Sequence, residues 1–271
     1  MEDIKVVIPI GNIADLLESE AIENARFKDD FSTYEYNGIK VPRVTKIIDS
    51  LFDKSYLINW ALSFRSKYDY LNEKNLITDI GTKAHLMIEE YLKTGELQEA
   101  PFKKAPRQAP IVQRCFENFV DWREHLVNSG NTFELIDLEV PVVNPYYGGC
   151  IDCIARINNA VYILDFKTSK KISYEYMLQV CAYMWTINSA YTNLPHIDGI
   201  GIIRVDKESR RYEDLFLNTF DPVQNAIINE YIKGFGSLLN SYYQKINMEY
   251  IFNQYKKTYS GLLSVIKNNE V

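Results

Sequence analysis

The stretch GGCIDCIARINNAVYILDFKTSK, residues 148–170, decides how the fold of this chain is interpreted. Two runs rich in β-branched and aromatic residues, GCIDCIARI and AVYILDFKT, lie on either side of Asn158-Asn159. Such runs around a two-residue polar break predict a β-hairpin. A third run, ELIDLEVPVV, precedes them across the break NPYYG. We therefore predict three short strands joined by two tight turns.

The two turns determine which residues face each other across the strands. If Asn158-Asn159 forms a two-residue loop, Asp152 lies directly opposite Asp165. If residues 144–147 form a four-residue loop, Glu139 lies opposite Asp152. Directly opposed residues have Cβ atoms about 5 Å apart. The sequence thus predicts a row of three carboxylates, which a register slip of one residue would destroy.

A row of carboxylates has a chemical consequence. Three acids at this spacing repel one another unless some are protonated or a cation lies among them. Hard divalent ions such as Mg²⁺ and Mn²⁺ favour such oxygen-rich sites. Lys167 follows Asp165 by two residues, so a strand places both on one face. The alternative is an exposed acidic face neutralised by lysine, but Asp165 is set in the apolar run VYILDF, where an unpaired charge is costly.

The rest of the chain predicts helices before and after this strand cluster. The segment GTKAHLMIEEYLKTG predicts a helix that Thr78 or Asp79 caps and that stops at Gly95, and STYEYNGIKV carries the hairpin signal Asn37-Gly38. Further helices are predicted at 12–26, 111–128, about 173–190, and as two helices after Pro222, with two more strands in IDGIGIIRVD and RYEDLFLNTF. The predicted class is α/β, with a mixed central sheet flanked by helices.

Domain organisation follows from this order of elements. We predict a single domain over residues 1–271, with a mainly helical N-terminal region at 1–75, a core at 76–220 and a helical C-terminal region at 221–271. The start of the chain lacks a basic n-region and a long apolar h-region, and no apolar run approaches a membrane span. We expect a cytoplasmic protein without membrane contact.

Charge and cysteine content narrow the possibilities further. The net charge of −6 argues by itself against a nucleic-acid partner, although basic residues cluster locally. The clusters are Lys40, Arg43 and Lys46; Lys103, Lys104 and Arg107; Lys167, Lys170 and Lys171; and Arg204, Lys207, Arg210 and Arg211. Cys150 and Cys153 form a lone CxxC that lacks the second ligand pair of a zinc site, so we expect free thiols.

The strand cluster also resembles the core motif of the RecB-like branch of the PD-(D/E)XK nuclease superfamily. In that branch a G-x-x-D strand precedes a (D/E)-x-K strand ending in K-T, which here are Gly149 with Asp152 and the run Asp165-Phe166-Lys167-Thr168. Three more elements match in order: Gly81 to His85 as a G-x-x-x-H helix, Glu139 as the acidic residue before the G-x-x-D strand, and Gln179 to Tyr183 as a Q-x-x-x-Y helix. The run VPRVTKI…WA at 41–61 resembles the N-terminal region of phage and mitochondrial exonucleases of this branch.

The resemblance implies a restriction-endonuclease-like core and a DNA nuclease that uses Mg²⁺ or Mn²⁺. It implies catalytic roles for Asp152, Asp165, Lys167, Glu139, Gln179 and Tyr183, and metal ligation by His85, Asp152 and Asp165. CRISPR-associated members hold an iron–sulfur cluster on C-terminal cysteines, whereas no cysteine follows Cys181 here, so we expect no cluster.

Three functional alternatives remain open. The leading one is an exonuclease or flap-type nuclease of bacterial or phage origin, acting on DNA ends or single strands, with a helicase or recombination protein as a possible partner. The second is a structure- or sequence-specific endonuclease on the same core. The third is an inactive relative that binds nucleic acid or a partner protein, against which the intact Asp–Asp–Lys set argues.

Overall fold

A mixed five-stranded sheet with helices on both faces forms the centre of the protein, as the sequence predicts. The computed structural model describes residues 34–97 and 107–268, so the predicted helix at 12–26 lies outside the described residues. The described strands are β1 Tyr34–Tyr36, β2 Ile39–Val41, β3 Phe133–Val143, β4 Gly148–Ile157, β5 Ala160–Lys167, β6 Gly199–Val205 and β7 Tyr212–Asn218. The described helices are α1 Val44–Asp49, α2 Ser55–Leu62, α3 Lys67–Thr94, α4 Ala109–Asn128, α5 Tyr174–Ala190 and α6 Pro222–Asn268.

The sheet has the strand order β3-β4-β5-β6-β7. Strands β3, β4 and β5 form an antiparallel meander, and β6 pairs antiparallel with β7. Strands β5 and β6 are parallel, and α5 connects them. A parallel pair needs such a crossover because the chain must return to the start of the sheet before the second strand begins, and a tight turn joins only antiparallel strands.

The predicted pairing of β4 with β5 is confirmed. Ile157 pairs with Ala160, and the ladder runs back from there to Cys153 and Leu164. Asn158 adopts a left-handed φ of 53°, which a tight hairpin turn requires. The predicted loop at 144–147 is also confirmed, because Val143 pairs with Gly148.

Two apolar layers cover the two faces of the sheet. Helices α1, α5 and α6 pack on one face, where Val180 and Phe235 are fully buried. Helices α3 and α4 pack on the other face, where Ile88 and Phe119 are fully buried. Burying one such side chain contributes about 1.5–3 kcal/mol. The polar end of β5 therefore lies between two well-packed helical layers.

The predicted start of α3 is wrong, and its predicted end is confirmed. Helix α3 begins at Lys67 instead of near Thr78, because the Ser66 side chain accepts from the Asp69 N–H and caps it there, while the Thr78 hydroxyl donates to the Lys74 carbonyl inside the helix. The helix ends at Gly95, as predicted, with a left-handed φ of 74°.

The C-terminal region is a single helix, α6, where the sequence predicted two. Its first half packs on α5 and the sheet through Phe235 and Leu239, and this packing outweighs the cost of about 1 kcal/mol for a glycine such as Gly234 inside a helix. Over residues 34–97 and 107–268 the structure has no helix whose length and hydropathy would let it span a membrane.

Candidate active site

Asp165 and Lys167 form a buried ion pair at the end of β5. The Lys167 ammonium donates a hydrogen bond of 2.8 Å to Oδ1 of Asp165 and lies 2.6 Å from Oδ2. Asp165 is only 3% exposed, and the Lys167 ammonium contacts both of its carboxylate oxygens. A buried carboxylate is tolerated when a cation compensates it, which explains why the lysine follows at the same strand face.

Asp152 joins this pair from β4. Its Oδ2 accepts a hydrogen bond of 2.7 Å from the backbone N–H of Phe166. The paired ladder of β4 and β5 stops at Cys153 and Leu164, one residue short of Asp152 and Asp165. The two carboxylates thus lie just beyond the last paired residues, where a side-chain acceptor takes the place of a backbone carbonyl.

His85 reaches the site from α3, on the opposite helical layer from α5. Its Nδ1 lies 3.6 Å from Oδ2 of Asp152, and its ring packs edge-on against Phe166 with centroids 6.0 Å apart. Gly81 brings α3 close, because a Cβ there would lie 3.3 Å from the hydroxyl of Thr168. The helix glycine and the threonine after the D-x-K motif are therefore in contact.

Glu139 lies level with Asp152 on β3 but is not paired with it. Leu138 pairs with Cys153 and Val140 with Ile151, while Glu139 itself has a left-handed φ of 50°. This conformation costs about 1–3 kcal/mol in a residue other than glycine. The register on both sides of Glu139 places it opposite Asp152, as the sequence predicts, and its exposed carboxylate accepts from the Cys150 thiol at 3.5 Å.

Gln179 and Tyr183 approach the site on one face of α5. Oε1 of Gln179 accepts from the Lys167 ammonium at 3.4 Å, and its Nε2 donates to the Tyr183 hydroxyl at 3.3 Å. A Cβ on Gly149 would lie 2.3 Å from Cε1 of Tyr183. The G-x-x-D glycine therefore leaves the space that the tyrosine of the Q-x-x-x-Y helix occupies.

Electrostatics differ sharply between the two aspartates. Burial raises the pKa of Asp165 to about 6, against the opposing attraction of Lys167. Burial also disfavours the Asp152 carboxylate, but the contact with His85, the charge of Lys167 and the hydrogen bond from Phe166 outweigh it, and the pKa of Asp152 is lowered. Burial of Lys167 is outweighed by Asp165 and Asp152, which raise its pKa.

The imidazole responds to the same charges. Burial disfavours protonated His85, yet the attraction of the Asp152 carboxylate, 3.6 Å away, prevails and raises the pKa of His85. The two carboxylates of Asp152 and Asp165 and the two cationic groups of Lys167 and His85 can therefore neutralise one another's charge. Divergent pKa values in neighbouring carboxyl groups are a feature of catalytic sites.

The donor set suits a hard divalent ion in its chemistry. Asp152, Asp165 and His85 offer carboxylate oxygens and an imidazole nitrogen, which are ligands that Mg²⁺ and Mn²⁺ accept. In their present arrangement, however, no three His, Cys, Asp or Glu side chains of the described ranges form a group able to hold a metal. The ammonium of Lys167 instead lies against Asp165.

The predicted basic clusters differ in how much charge they leave exposed. Arg204 is buried and paired with Asp206 and Glu213, and Arg210 is paired with Asp121 and Glu117, so the charges of these two arginines are neutralised within the fold. Lys170 and Lys171 are exposed just beyond β5, close in sequence to Lys167. Lys103 and Lys104 lie outside the described residues.

Two aromatic residues near the site were not predicted from the sequence. Tyr176 places its ring 4.9 Å from the Lys167 ammonium. Tyr34 packs its ring where a Cβ of Gly148 would lie, and its partial burial raises the pKa of its hydroxyl. The spacing of Tyr176, three residues before Gln179, was the available signal, since residues three apart share a helix face.

Comparison with known proteins does not place the chain in a family. No family model matches the chain, and no curated protein matches it. A solved structure described as "Crystal structure of SSO0001" is similar over 84% of this chain and 87% of that chain, with 15% sequence identity and a TM-score of 0.33. A likeness at this level supports no argument about function.

Proposed function

We propose that this protein is a metal-dependent DNA nuclease, an exonuclease or flap-type enzyme acting on DNA ends or single strands. One observation carries the proposal: the Lys167 ammonium pairs with Asp165, and Asp152 hydrogen-bonds to the residue between them. The elements that resemble the RecB-like nucleases thus contribute side chains to one place, although they come from α3, β4, β5 and α5. The side chains of this site, and not the fold, support the proposal, since one fold can host many functions.

Each residue has a role that its contacts support. Asp152, Asp165 and His85 would hold a Mg²⁺ or Mn²⁺ ion. Such an ion polarises the phosphate and lowers the pKa of the attacking water. Lys167 would stabilise the negative charge that develops on the phosphate as the bond breaks.

The remaining residues support this set. Gln179 holds the ammonium of Lys167 through Oε1 and is itself held by Tyr183. Glu139 lies at the exposed margin of the site, where it interacts with Asp152 through charge. Its carboxylate would contact the attacking water or the substrate at this exposed margin, away from the buried pair of Asp165 and Lys167.

The experiment is a cleavage assay with a 5′-labelled single strand and the matching duplex, in Mg²⁺, in Mn²⁺ and in EDTA. We expect metal-dependent release of mononucleotides or short ends. Discrete internal fragments would identify the endonuclease alternative. Binding without cleavage under either metal would identify the inactive relative. The Asp165→Asn protein, shown to be folded, is the matched control and should not cleave.

A further inference from the structure

Tyr176 lies beside Lys167 in the first turn of α5. Its ring centroid is 4.9 Å from the ammonium nitrogen, within the range of a cation–π interaction. The Tyr176 N–H donates to the Ser173 carbonyl at 3.0 Å, and Ser173 caps the helix by accepting from the Glu175 N–H. The ring is therefore attached to a fixed helix start.

The ammonium of Lys167 has three kinds of neighbour. Asp165 contributes a carboxylate at 2.8 Å, Gln179 an amide oxygen at 3.4 Å, and Tyr176 the face of an aromatic ring. The carboxylate and the amide bind the hydrogens of the ammonium. The ring attracts the charge without accepting a proton in a conventional hydrogen bond, and it excludes water from that side.

Tyr176 extends the row already formed by Gln179 and Tyr183. The three residues are spaced i, i+3 and i+7, so they occupy one face of the helix. A lysine side chain has four rotatable bonds, so the ion pair with Asp165 alone would leave the ammonium of Lys167 several accessible positions. A ring fixed to α5 limits this freedom.

We propose that Tyr176 is a positioning residue, whose ring face holds the Lys167 ammonium where the reacting phosphate needs it. This inference rests on the proposed function. It concerns the ring and not the hydroxyl, so phenylalanine should replace Tyr176 and an aliphatic side chain of similar volume should not.

The kinetic test compares Tyr176→Phe and Tyr176→Leu with the wild type on a labelled single strand in Mn²⁺. We expect kcat of Tyr176→Leu to fall about tenfold, within the range of a cation–π attraction, with KM little changed. Tyr176→Phe should keep kcat near the wild-type value. Tyr174→Leu, at an exposed neighbouring tyrosine, is the matched control and should leave kcat unchanged.

A second measurement does not depend on activity. In protein labelled at the lysine ε-carbon, the Lys167 resonance, assigned by its loss in Lys167→Arg, should be shifted upfield by the ring in wild type and in Tyr176→Phe. The shift should vanish in Tyr176→Leu. An unshifted Lys167 resonance in the wild type overturns the inference, as does a Tyr176→Leu protein with wild-type kcat or a Tyr176→Phe protein as slow as Tyr176→Leu. Absence of cleavage by the wild type overturns the proposed function instead, and the resonance still decides whether the ring holds Lys167.

Discussion

The backbone N–H of Phe166 donates its hydrogen bond to the side chain of Asp152. This contact lies immediately beyond the last paired residues of β4 and β5. One oxygen of Asp152 therefore has a structural partner as well as its 3.6 Å approach to His85. Asp152, a proposed metal ligand, therefore also terminates the hydrogen-bonded ladder between β4 and β5.

The first prediction separates these two roles of Asp152. Asp152→Ala should lose about 1–3 kcal/mol of stability, because it leaves a buried N–H of Phe166 without an acceptor. Asp152→Asn should stay within about 1 kcal/mol of the wild type, because its amide oxygen can still accept. Urea unfolding of both variants measures this. Equal stability of the two variants would mean that the hydrogen bond contributes nothing.

The second prediction concerns metal binding to the folded protein. Mn²⁺ and Mg²⁺ should raise the melting temperature, because a ligand that binds only the native state stabilises it, by about 2.7 kcal/mol at a hundredfold excess over Kd. EDTA should reverse the increase. Asp165→Asn, which removes the charge of this buried carboxylate, should show little or no increase. An unchanged melting temperature in the wild type with both metals would contradict the proposed site.

The third prediction tests the contact between Gly149 and Tyr183. Gly149→Ala should destabilise the protein by about 1–3 kcal/mol and slow cleavage, because its Cβ would lie 2.3 Å from Cε1 of the tyrosine. The same substitution should cost much less in a Tyr183→Ala background. A double-mutant cycle measures this coupling by denaturant unfolding. Strictly additive changes would show that the glycine is needed for another reason.

The fourth prediction concerns the proposed binding of DNA by a protein with a net charge of −6. Replacing Lys170 and Lys171 by alanine should weaken binding of a single strand and reduce the slope of log K against log salt by about 0.7 for each phosphate that these lysines neutralise. Arg210→Ala is the matched control and should leave the slope unchanged, because Arg210 pairs with Asp121 and Glu117. Fluorescence anisotropy at several salt concentrations measures both. A larger effect from Arg210 would place the DNA on the other side of the fold.

The fifth prediction concerns stability in acid. Burial disfavours the Asp206 carboxylate, but hydrogen bonds from Arg204 and from the N–H groups of Ser209 and Glu208 lower its pKa to about 2. A carboxyl group whose pKa is lower in the folded state stabilises the fold above its unfolded pKa, near 4, and this contribution disappears as pH falls from about 4 to 2.

Asp206→Asn should therefore be less stable than the wild type at pH 6, by about 1–2 kcal/mol after allowance for partial solvent exposure. The difference should shrink at pH 3. Denaturant unfolding at the two pH values provides the comparison. A difference that grows as the solution is acidified would show that Asp206 is not stabilised as a carboxylate.

Local sequence signals were sufficient for the central meander. Asn158-Asn159 marks a two-residue turn, and a turn of known length sets the register of both strands, which is why the positions of Asp152 and Asp165 could be predicted. The four-residue loop at 144–147 sets the register of Glu139 opposite Asp152 in the same way. The left-handed backbone of Glu139 could not be predicted, because a single glutamate in a strand pattern carries no signal for it.

Other features depend on the choice between several local partners. The pairing of Arg204 with Glu213 requires β6 and β7 to be neighbours, and a cluster of basic residues in the sequence does not reveal these acidic partners. The start of α3 at Lys67 depends on one serine cap, which competes with equally plausible caps later in the segment. Boundaries and ion pairs are decided by small energy differences, whereas alternation and turn length are not.

The meander of β3, β4 and β5 has a consequence for the order in which the chain folds. Its strands are joined by the turns at 144–147 and Asn158-Asn159, so Asp152 and Asp165 meet by closing short loops, which costs little chain entropy. Strand β6 can join the sheet, and His85 of α3 can reach Asp152, only when much longer loops close. We therefore expect the acidic pair to come together early in folding, with the imidazole arriving later.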